Sequence, residues 1–275
     1  MASDKPTGTG EEHAGRVNAL FTRIARRYDL INDLQSFGLH RYWKRRVVQL
    51  ARVQAGDRAL DVCCGTADLA LALARQGAMV VGLDFSQEML ALAQAKVQSL
   101  GSKVLSPESK VLSPEFKVLS PQSTVHSLEL KTQFVRGDAQ DVPFPDNSFD
   151  VVTVGYGLRN LTSWERGLSE MHRVAKPGGR LLVLDFGKPD NAIWRGLYFG
   201  YLKLFVPFLG RLFCGDAAAY SYILESLKQY PAQRGVAAKM RELGLDKVQT
   251  FNLVGGAMSI NYGEKPRPGE AVKSE

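Results

Sequence analysis

LDVCCGTADLALALA, Leu60 to Ala74, decides the fold. A short apolar run ends at a glycine turn, and an amphipathic run starts at once. That order predicts a strand over Ala59–Cys63, a tight loop, and a helix over Asp68–Arg75. The same rhythm repeats downstream. Met79–Leu83 predicts a second strand closing on Asp84, with Ser86 placed to cap a helix over Gln87–Ser99. Gln133–Val135 and Phe149–Val154 predict the third and fourth strands. Trp164–Ala175 predicts a helix stopped by KPGG, and Arg180–Phe186 a fifth strand. Strands alternating with helices mean an α/β fold with a mostly parallel sheet.

The rest of the 275 residues is organised around that unit. Residues 1–13 read as a flexible tail and 14–54 as a helical N-terminal cover, with Val17, Leu20, Phe21, Ile24 and Tyr28 on one stripe. A second helix is expected over His40–Arg52. Residues 55–189 hold the alternating strands, 190–230 an apolar lid, 231–264 a closing helix and strands, and 265–275 a second tail. Residues 14–264 thus read as a single domain. Within 101–127 lie three near copies of KVLSPES, at residues 103–123. The seven-residue period does not make a coiled coil, because Pro107, Pro114 and Pro121 would each break a helix. The repeat reads as an exposed loop, either a neutral tandem expansion or a Ser-Pro docking site.

Composition excludes several classes. A hydrophobic fraction of 45% supports a packed core rather than a disordered chain. The polar N-terminus carries no apolar run of the kind that directs secretion. The most apolar stretch, Ala192–Cys214, is interrupted by Arg195, Lys203 and Arg211, so no spanning helix is expected. Three cysteines with no second ligand cluster give no zinc spacing, hence no metal, and favour a reducing, cytoplasmic compartment. The net charge is +7, and Arg23, Arg26, Arg27, Arg41, Lys44, Arg45 and Arg46 crowd the first fifth of the chain. A basic balance suits an anionic membrane surface, nucleic acid or no particular partner. The motifs of nucleic-acid methylation and an aromatic-basic surface are missing, so no nucleic acid is expected.

In open α/β sheets ligands bind at the carboxyl ends of the strands. Those ends here are Asp61 to Ala67, including Gly65 and Thr66; Asp84; Gly137-Asp138-Ala139; and Gly155-Tyr156-Gly157. An acid closing the second strand can accept from both hydroxyls of a ribose, which suits a nicotinamide dinucleotide or S-adenosylmethionine. A dinucleotide pyrophosphate calls for GxGxxG, and the loop here is CCGTAD. Asp68 at the helix start would repel a pyrophosphate but welcome a cation, which favours S-adenosylmethionine. Cys63 and Cys64 then read as small apolar packers, with no nearby His-acid pair to activate a thiolate.

Tyr28–Arg45 (YDLINDLQSFGLHRYWKR), LDVCCGTADLA, Gly137–Asp150 (GDAQDVPFPDNSFD), Gly155–Thr162 (GYGLRNLT), His172–Pro189 (HRVAKPGGRLLVLDFGKP) and Gly215–Pro231 (GDAAAYSYILESLKQYP) together resemble the quinone C-methyltransferases of menaquinone and ubiquinone biosynthesis. The resemblance spans roughly residues 14–264. It implies a Rossmann-like class I S-adenosylmethionine methyltransferase fold: a seven-stranded, mostly parallel sheet with helices on both faces. Lys247–Leu253 and Ala257–Tyr262 would form the antiparallel pair. It places Asp61, Gly65 and Thr66 in the cofactor loop, Asp84 on the ribose, Asp138 and Ala139 on the adenine, and Gly155 at the methionine end. Many members carry Gly where this chain has Cys64 and Ala67.

The implied reaction is methylation of a ring carbon of a prenylated quinol, with demethylmenaquinol favoured and the benzoquinol as alternative. A deprotonated oxygen must activate that carbon, and a cation would stabilise the phenolate. Arg159 fits that part, or else pairs with a carboxylate at the sheet edge; Asn160 can orient an oxygen or a water. Tyr28 and Asp29 cover the site or cap a helix, and His40 is a candidate base or a structural histidine. Tyr156, Asp216, Tyr220 and Tyr222 are expected to line the quinol pocket. Trp194 to Phe213 reads as a groove for the polyprenyl tail that also touches an anionic bilayer, or as a core helix. A homodimer and an idle scaffold of a quinone-synthesis complex stay open.

Overall fold

The computed structural model describes residues 28–104, 131–208 and 218–269, with Gly15 and Ala19. Among the elements described from Tyr28 on, two helices come first, α1 (Tyr28–Ser36) and α2 (Leu39–Ala51). The alternating unit follows: β1 (Arg58–Val62), α3 (Asp68–Arg75), β2 (Met79–Asp84), α4 (Gln87–Val104), β3 (Thr132–Arg136), β4 (Phe149–Gly155), α5 (Trp164–Val174) and β5 (Ala175–Phe186). Helix α6 (Ala192–Gly200) runs into a π-helical turn, Tyr201–Phe205. Then come α7 (Ala218–Gln229), α8 (Ala232–Glu242), β6 (Asp246–Leu253) and β7 (Met258–Glu264).

The strands form one sheet in the order β3-β2-β1-β4-β5-β7-β6. All neighbours pair in parallel except β7, which is antiparallel to both β5 and β6. This is the seven-stranded class I methyltransferase sheet. From β1 the chain builds outward through β2 and β3, then crosses back to β4. The gap between the carboxyl ends of β1 and β4 is therefore the switch point where such sheets bind ligands.

Two apolar layers hold the sheet, and the strands alternate between them residue by residue. Leu60, Val152, Val154, Leu181 and Val183 face one layer, closed by Leu168 and Met171 of α5 and Val236 and Met240 of α8. Ala59, Val151, Leu182 and Leu184 face the other, closed by α3, α4 and Trp43, Val47 and Ala51 of α2. Helix α2 is thus part of the sandwich and not only a cover. Each fully buried Leu or Val adds about 1.5–3 kcal/mol of transfer free energy.

The predicted elements stand with shifted ends. Helix α4 continues to Val104, and the KPGG segment belongs to β5, because Ala175 already pairs with Phe149 of β4. The antiparallel pair extends to Glu264. The 14–54 segment is broken at Phe37–Gly38, where the Gly38 amide donates to the Asp33 carbonyl at 2.9 Å and ends α1. The stripe from Val17 to Ile24, Asp216, Cys214 and the repeat beyond Val104 lie outside the described residues.

The lid-or-core alternatives for 190–208 are both present in one helix. Tyr198, Leu202 and Val206 are buried, whereas Ile193, Leu197, Leu204 and Phe208 are exposed. Among the described residues no helix is long and apolar enough to cross a membrane.

Candidate active site

The loop after β1 is shaped by backbone geometry. Cys63, Gly65 and Ala67 all adopt positive φ, at 53°, 54° and 66°. The Cys64 amide donates to the Leu83 carbonyl at 3.0 Å, which ties the loop to β2. Both cysteines pack against glycines. A Cβ on Gly82 would come within 2.9 Å of Cys64 Sγ, and one on Gly157 within 2.4 Å of Cys63 Cβ. Burial pushes both thiols well above their ordinary range, with Asp84 adding to it. They are therefore held protonated and unreactive, as the packing reading required.

The contact at Gly157 gives a first prediction. Gly157→Ala forces the β1 and β4 loops apart by collision with a Cβ that cannot rotate away. Overpacking of this kind costs about 1–3 kcal/mol. We expect a lower thermal midpoint together with loss of S-adenosylmethionine binding in calorimetry; a variant that binds normally would disprove the close fit.

Asp84 sits at the end of β2 with both oxygens engaged by backbone. Oδ2 accepts from the Gly65 amide at 2.8 Å and Oδ1 from the Ser86 amide at 2.9 Å. Burial raises its pKa, opposed by those amides. Each oxygen keeps a lone pair for a further donor. Ser86 Oγ caps α4 by accepting from the Met89 amide at 3.3 Å. The loop after β3 is held from below: Glu170 accepts from the Val142 amide, and Arg173 donates to the carbonyls of Val142 and Phe144. That scaffold fixes Asp138, whose Oδ1 accepts from the Gln140 amide at 2.8 Å. Gln140 in turn accepts from the Ser163 amide at 2.7 Å, joining this loop to the one after β4.

These loops enclose a cleft of about 850 Å³, counting its open mouth. Of the predicted residues Gly65, Asp84, Asp138, Ala139, Gly155, Tyr156 and Asn160 line it. Phe85, Met89, Gln140 and Leu161 also line it and were not predicted, although each lies within five residues of a residue that was. Asp61 and Thr66 are buried outside the lining. His40 is buried at the start of α2, with Nδ1 2.9 Å from Ser36 Oγ, and burial lowers its pKa. Tyr28 and Asp29 fall on α1, and Tyr220 and Tyr222 on α7; their side chains lie outside the description.

Among the described residues the lining holds two carboxylates and no lysine or arginine. That set fits S-adenosylmethionine, a cation without phosphate, and not a dinucleotide. The reason differs from the expected one. Asp68 does not face the cleft; Lys44 donates to it at 2.8 Å, Lys96 donates to its other oxygen, and these partners lower its pKa to about 2 despite its burial. Asp84 and Asp138 supply the negative wall instead.

Behind the loop, Asp61 accepts from Thr153 Oγ1 at 2.8 Å and is 1% exposed. Burial raises its pKa from 3.8 to about 7, against the pull of Thr153 and Lys44. Between those values the folded chain holds a proton that the unfolded chain has released. Stability should therefore fall as pH rises from about 4 to about 7 and level off above. Asp61→Asn keeps an acceptor for Thr153 and removes the titration. Urea midpoints of the variant should be flatter across that window; coinciding slopes would rule Asp61 out as the cause.

At the far end, the turn Leu158–Asn160 follows β4. Asn160 Nδ2 donates to the Tyr156 carbonyl at 3.1 Å. Arg159 turns away from the cleft lining. Its Nη1 donates to the same carbonyl and to Asp185 Oδ1 at 3.1 Å, and its guanidinium lies 4.7 Å from the Phe186 ring. The two side chains of the ion pair are 5% and 3% exposed. The structure thus shows the carboxylate pairing of Arg159, made next to Asn160 and off the cleft lining.

A model described as the ubiE/COQ5 methyltransferase family matches residues 8–265. A Desulfitobacterium hafniense protein named demethylmenaquinone methyltransferase is 38% identical, covering 94% of this chain and 93% of its own. An Azotobacter vinelandii protein named ubiquinone/menaquinone biosynthesis C-methyltransferase UbiE is 36% identical, covering 93% and 92%. A solved S-adenosylmethionine-dependent methyltransferase of Aquifex aeolicus superposes with a TM-score of 0.51 over 81% of this chain and 89% of its own, at 17% identity. That last likeness concerns the fold.

Proposed function

Because this chain belongs to the ubiE/COQ5 methyltransferase family and is an S-adenosylmethionine-dependent methyltransferase, we propose that it methylates demethylmenaquinol at a ring carbon. The observation that carries the reading is the buried Arg159–Asp185 pair beside Asn160, at the β4 end of an acidic, phosphate-excluding cleft.

Gly65, Asp84, Asp138, Ala139 and Gly155 would hold the cofactor. When bound, S-adenosylmethionine supplies a methyl group on a sulfonium, and the quinol carbon that takes it gives up its ring proton. Everything else falls to the chain. Asp84 fixes the ribose and so the reach of the methyl end. Asn160 orients a quinol oxygen. Arg159 makes loss of that oxygen's proton cheaper by placing positive charge in a poorly solvated site. Tyr156 and Leu161 line the cleft and would keep water from the reacting carbon. Tyr28, Asp29, Asp216, Tyr220 and Tyr222 are proposed as substrate-side residues on the resemblance alone, whereas His40, buried against Ser36 Oγ and off the cleft lining, takes a structural part.

The test uses purified protein, methyl-labelled S-adenosylmethionine and chemically reduced demethylmenaquinol, with a demethylated benzoquinol in parallel. Label in the naphthoquinol supports the reading. Label in both makes the enzyme serve two quinones, as the name of the Azotobacter relative joins them. No label in either, with cofactor binding intact, would sink it.

The exposed side of α6 and its π turn fits contact with an anionic bilayer. Ile193, Leu197, Leu204 and Phe208 are exposed beside Arg195 and Lys203, and the Phe37 ring lies 6.4 Å from Phe205. Apolar residues mixed with cations favour an acidic headgroup layer. Flotation should recover the protein with phosphatidylglycerol vesicles and not with phosphatidylcholine; absence from both would refute the contact.

A further inference from the structure

Gln140 lines the cleft and reaches from one loop to another. Its backbone amide donates to Asp138 Oδ1 at 2.8 Å, which seats it on the loop after β3. Its side-chain Oε1 accepts from the Ser163 amide at 2.7 Å, at the end of the loop after β4. Ser163 is the N-cap of α5 and accepts from the Arg166 amide at 3.1 Å. In a capping box the third helical residue reaches back and accepts from the N-cap amide. That residue here is Arg166, whose guanidinium has no acceptor. Gln140, 23 residues earlier in the chain, supplies the oxygen instead.

The two loops that this bond joins carry different parts of the cleft. Asp138 and Ala139, beside Gln140, stand where the cofactor is placed; Asn160 and Leu161, shortly before Ser163, stand where the acceptor ring is placed. Each loop has anchors of its own. The β3 loop is held by Glu170 on the Val142 amide at 2.8 Å and by Arg173 on the Val142 and Phe144 carbonyls at 2.9 and 2.8 Å. The turn after β4 closes on itself, Asn160 amide to Gly157 carbonyl at 3.0 Å, and Leu161 packs so tightly on α5 that a Cβ on Gly167 would come within 2.3 Å of its Cδ1. Losing the Gln140 side chain therefore leaves both loops standing. What it removes is a hydrogen bond from one cleft wall to the other.

We propose that Gln140 is a positioning residue that couples cofactor seating to acceptor seating, a proposal that rests on the quinol reading above. Its side chain sets the turn Leu158–Asn160, and with it Asn160, against the loop that meets the cofactor. Cofactor in place then steadies the wall that receives the acceptor. By linkage the effect is mutual: each substrate raises the affinity of the other by the same factor.

The experiment uses the full chain with Gln140→Met, and with Gln140→Met joined to Arg166→Gln. Methionine keeps the length of the side chain and loses the acceptor. Glutamine at 166 restores a capping box within α5, and so gives the Ser163 amide a partner without rejoining the loops. The first readout needs no quinol. Saturating S-adenosylhomocysteine, the cofactor without its methyl group, should slow amide hydrogen exchange over residues 157–163 in the wild type and not in either variant. The second is KM for reduced demethylmenaquinol, which should rise about fivefold in both variants, the effect of about 1 kcal/mol. Cofactor affinity measured without quinol should stay within twofold. The thermal midpoint should fall in Gln140→Met and recover in the double variant. Equal protection of residues 157–163 in wild type and Gln140→Met overturns the coupling, whatever the quinol does. So does a KM that recovers along with the midpoint, because the bond is then only a helix cap. A KM rise matched by weaker cofactor binding assigns the effect to a damaged cofactor wall and also overturns it. A wild-type protein that methylates neither quinol, yet shows the difference in exchange, loses the quinol reading and keeps the link between the loops.

Discussion

Asp84→Ala should weaken S-adenosylmethionine binding by about 100-fold or more while leaving a folded protein. The carboxylate does two jobs. It accepts the Gly65 and Ser86 amides, which pins the β1 loop to the start of α4. Its remaining lone pairs face the cleft, where a ribose would donate two hydroxyls. Hydrogen bonds to a charged group contribute about 1.5–3 kcal/mol each, so losing two exceeds the 2.7 kcal/mol that a 100-fold change represents. Asp84→Asn should fall between, because its amide group sets an N–H against one of the two backbone amides. Asp138→Ala should cost less, about tenfold, since Asp138 mainly supplies charge to the wall. Titration calorimetry on the three variants gives the order. Binding by Asp84→Ala within threefold of wild type would remove the carboxylate from the cofactor site.

The Arg159–Asp185 pair carries the second large effect. Asp185→Ala leaves a buried guanidinium without its counter-charge, and breaking such a pair costs about 3–5 kcal/mol. Arg159→Ala leaves a buried carboxylate, but burial already raises the pKa of Asp185, so it can take up a proton and soften the loss. We expect Asp185→Ala to be the less stable of the two at neutral pH. Arg159→Met combined with Asp185→Leu removes both charges and should return to near wild-type stability, because paired apolar replacements of buried ions are often neutral. That double variant should nevertheless be inactive on quinol and bind S-adenosylmethionine normally. If it keeps its activity, Arg159 is only a structural ion. Chemical denaturation, calorimetry and the labelled-methyl assay separate the three readouts.

What could be read from the sequence follows how local each cause is. The strand–loop–helix unit at Leu60–Ala74 and the acid at the end of β2 were legible because period and position act over a few residues. Asp68 shows the limit. It led to the right cofactor by an argument that fails in three dimensions, since Lys44 and Lys96 lie 24 and 28 residues away and neutralise it. Arg159 could be given two roles but no partner, because Asp185 sits 26 residues on, at the end of a strand that pairs with β4. Thr66 belongs to the right loop and is buried outside the cleft lining, while Gln140, one residue past Ala139, lines it.

The sheet order also bears on how the protein is made. Strand β7 is the latest of the seven in the chain, yet it sits between β5 and β6 and supplies hydrogen bonds to both. A growing polypeptide emerges β5 first and β6 much later, and these two cannot join until β7 follows. Through that interval the β5 edge, with Leu181 to Leu184, has no neighbour, and exposed apolar edges invite other chains. During synthesis this protein should therefore be a strong client of nascent-chain chaperones, and ribosome stalling just before Met258 should leave it bound to them.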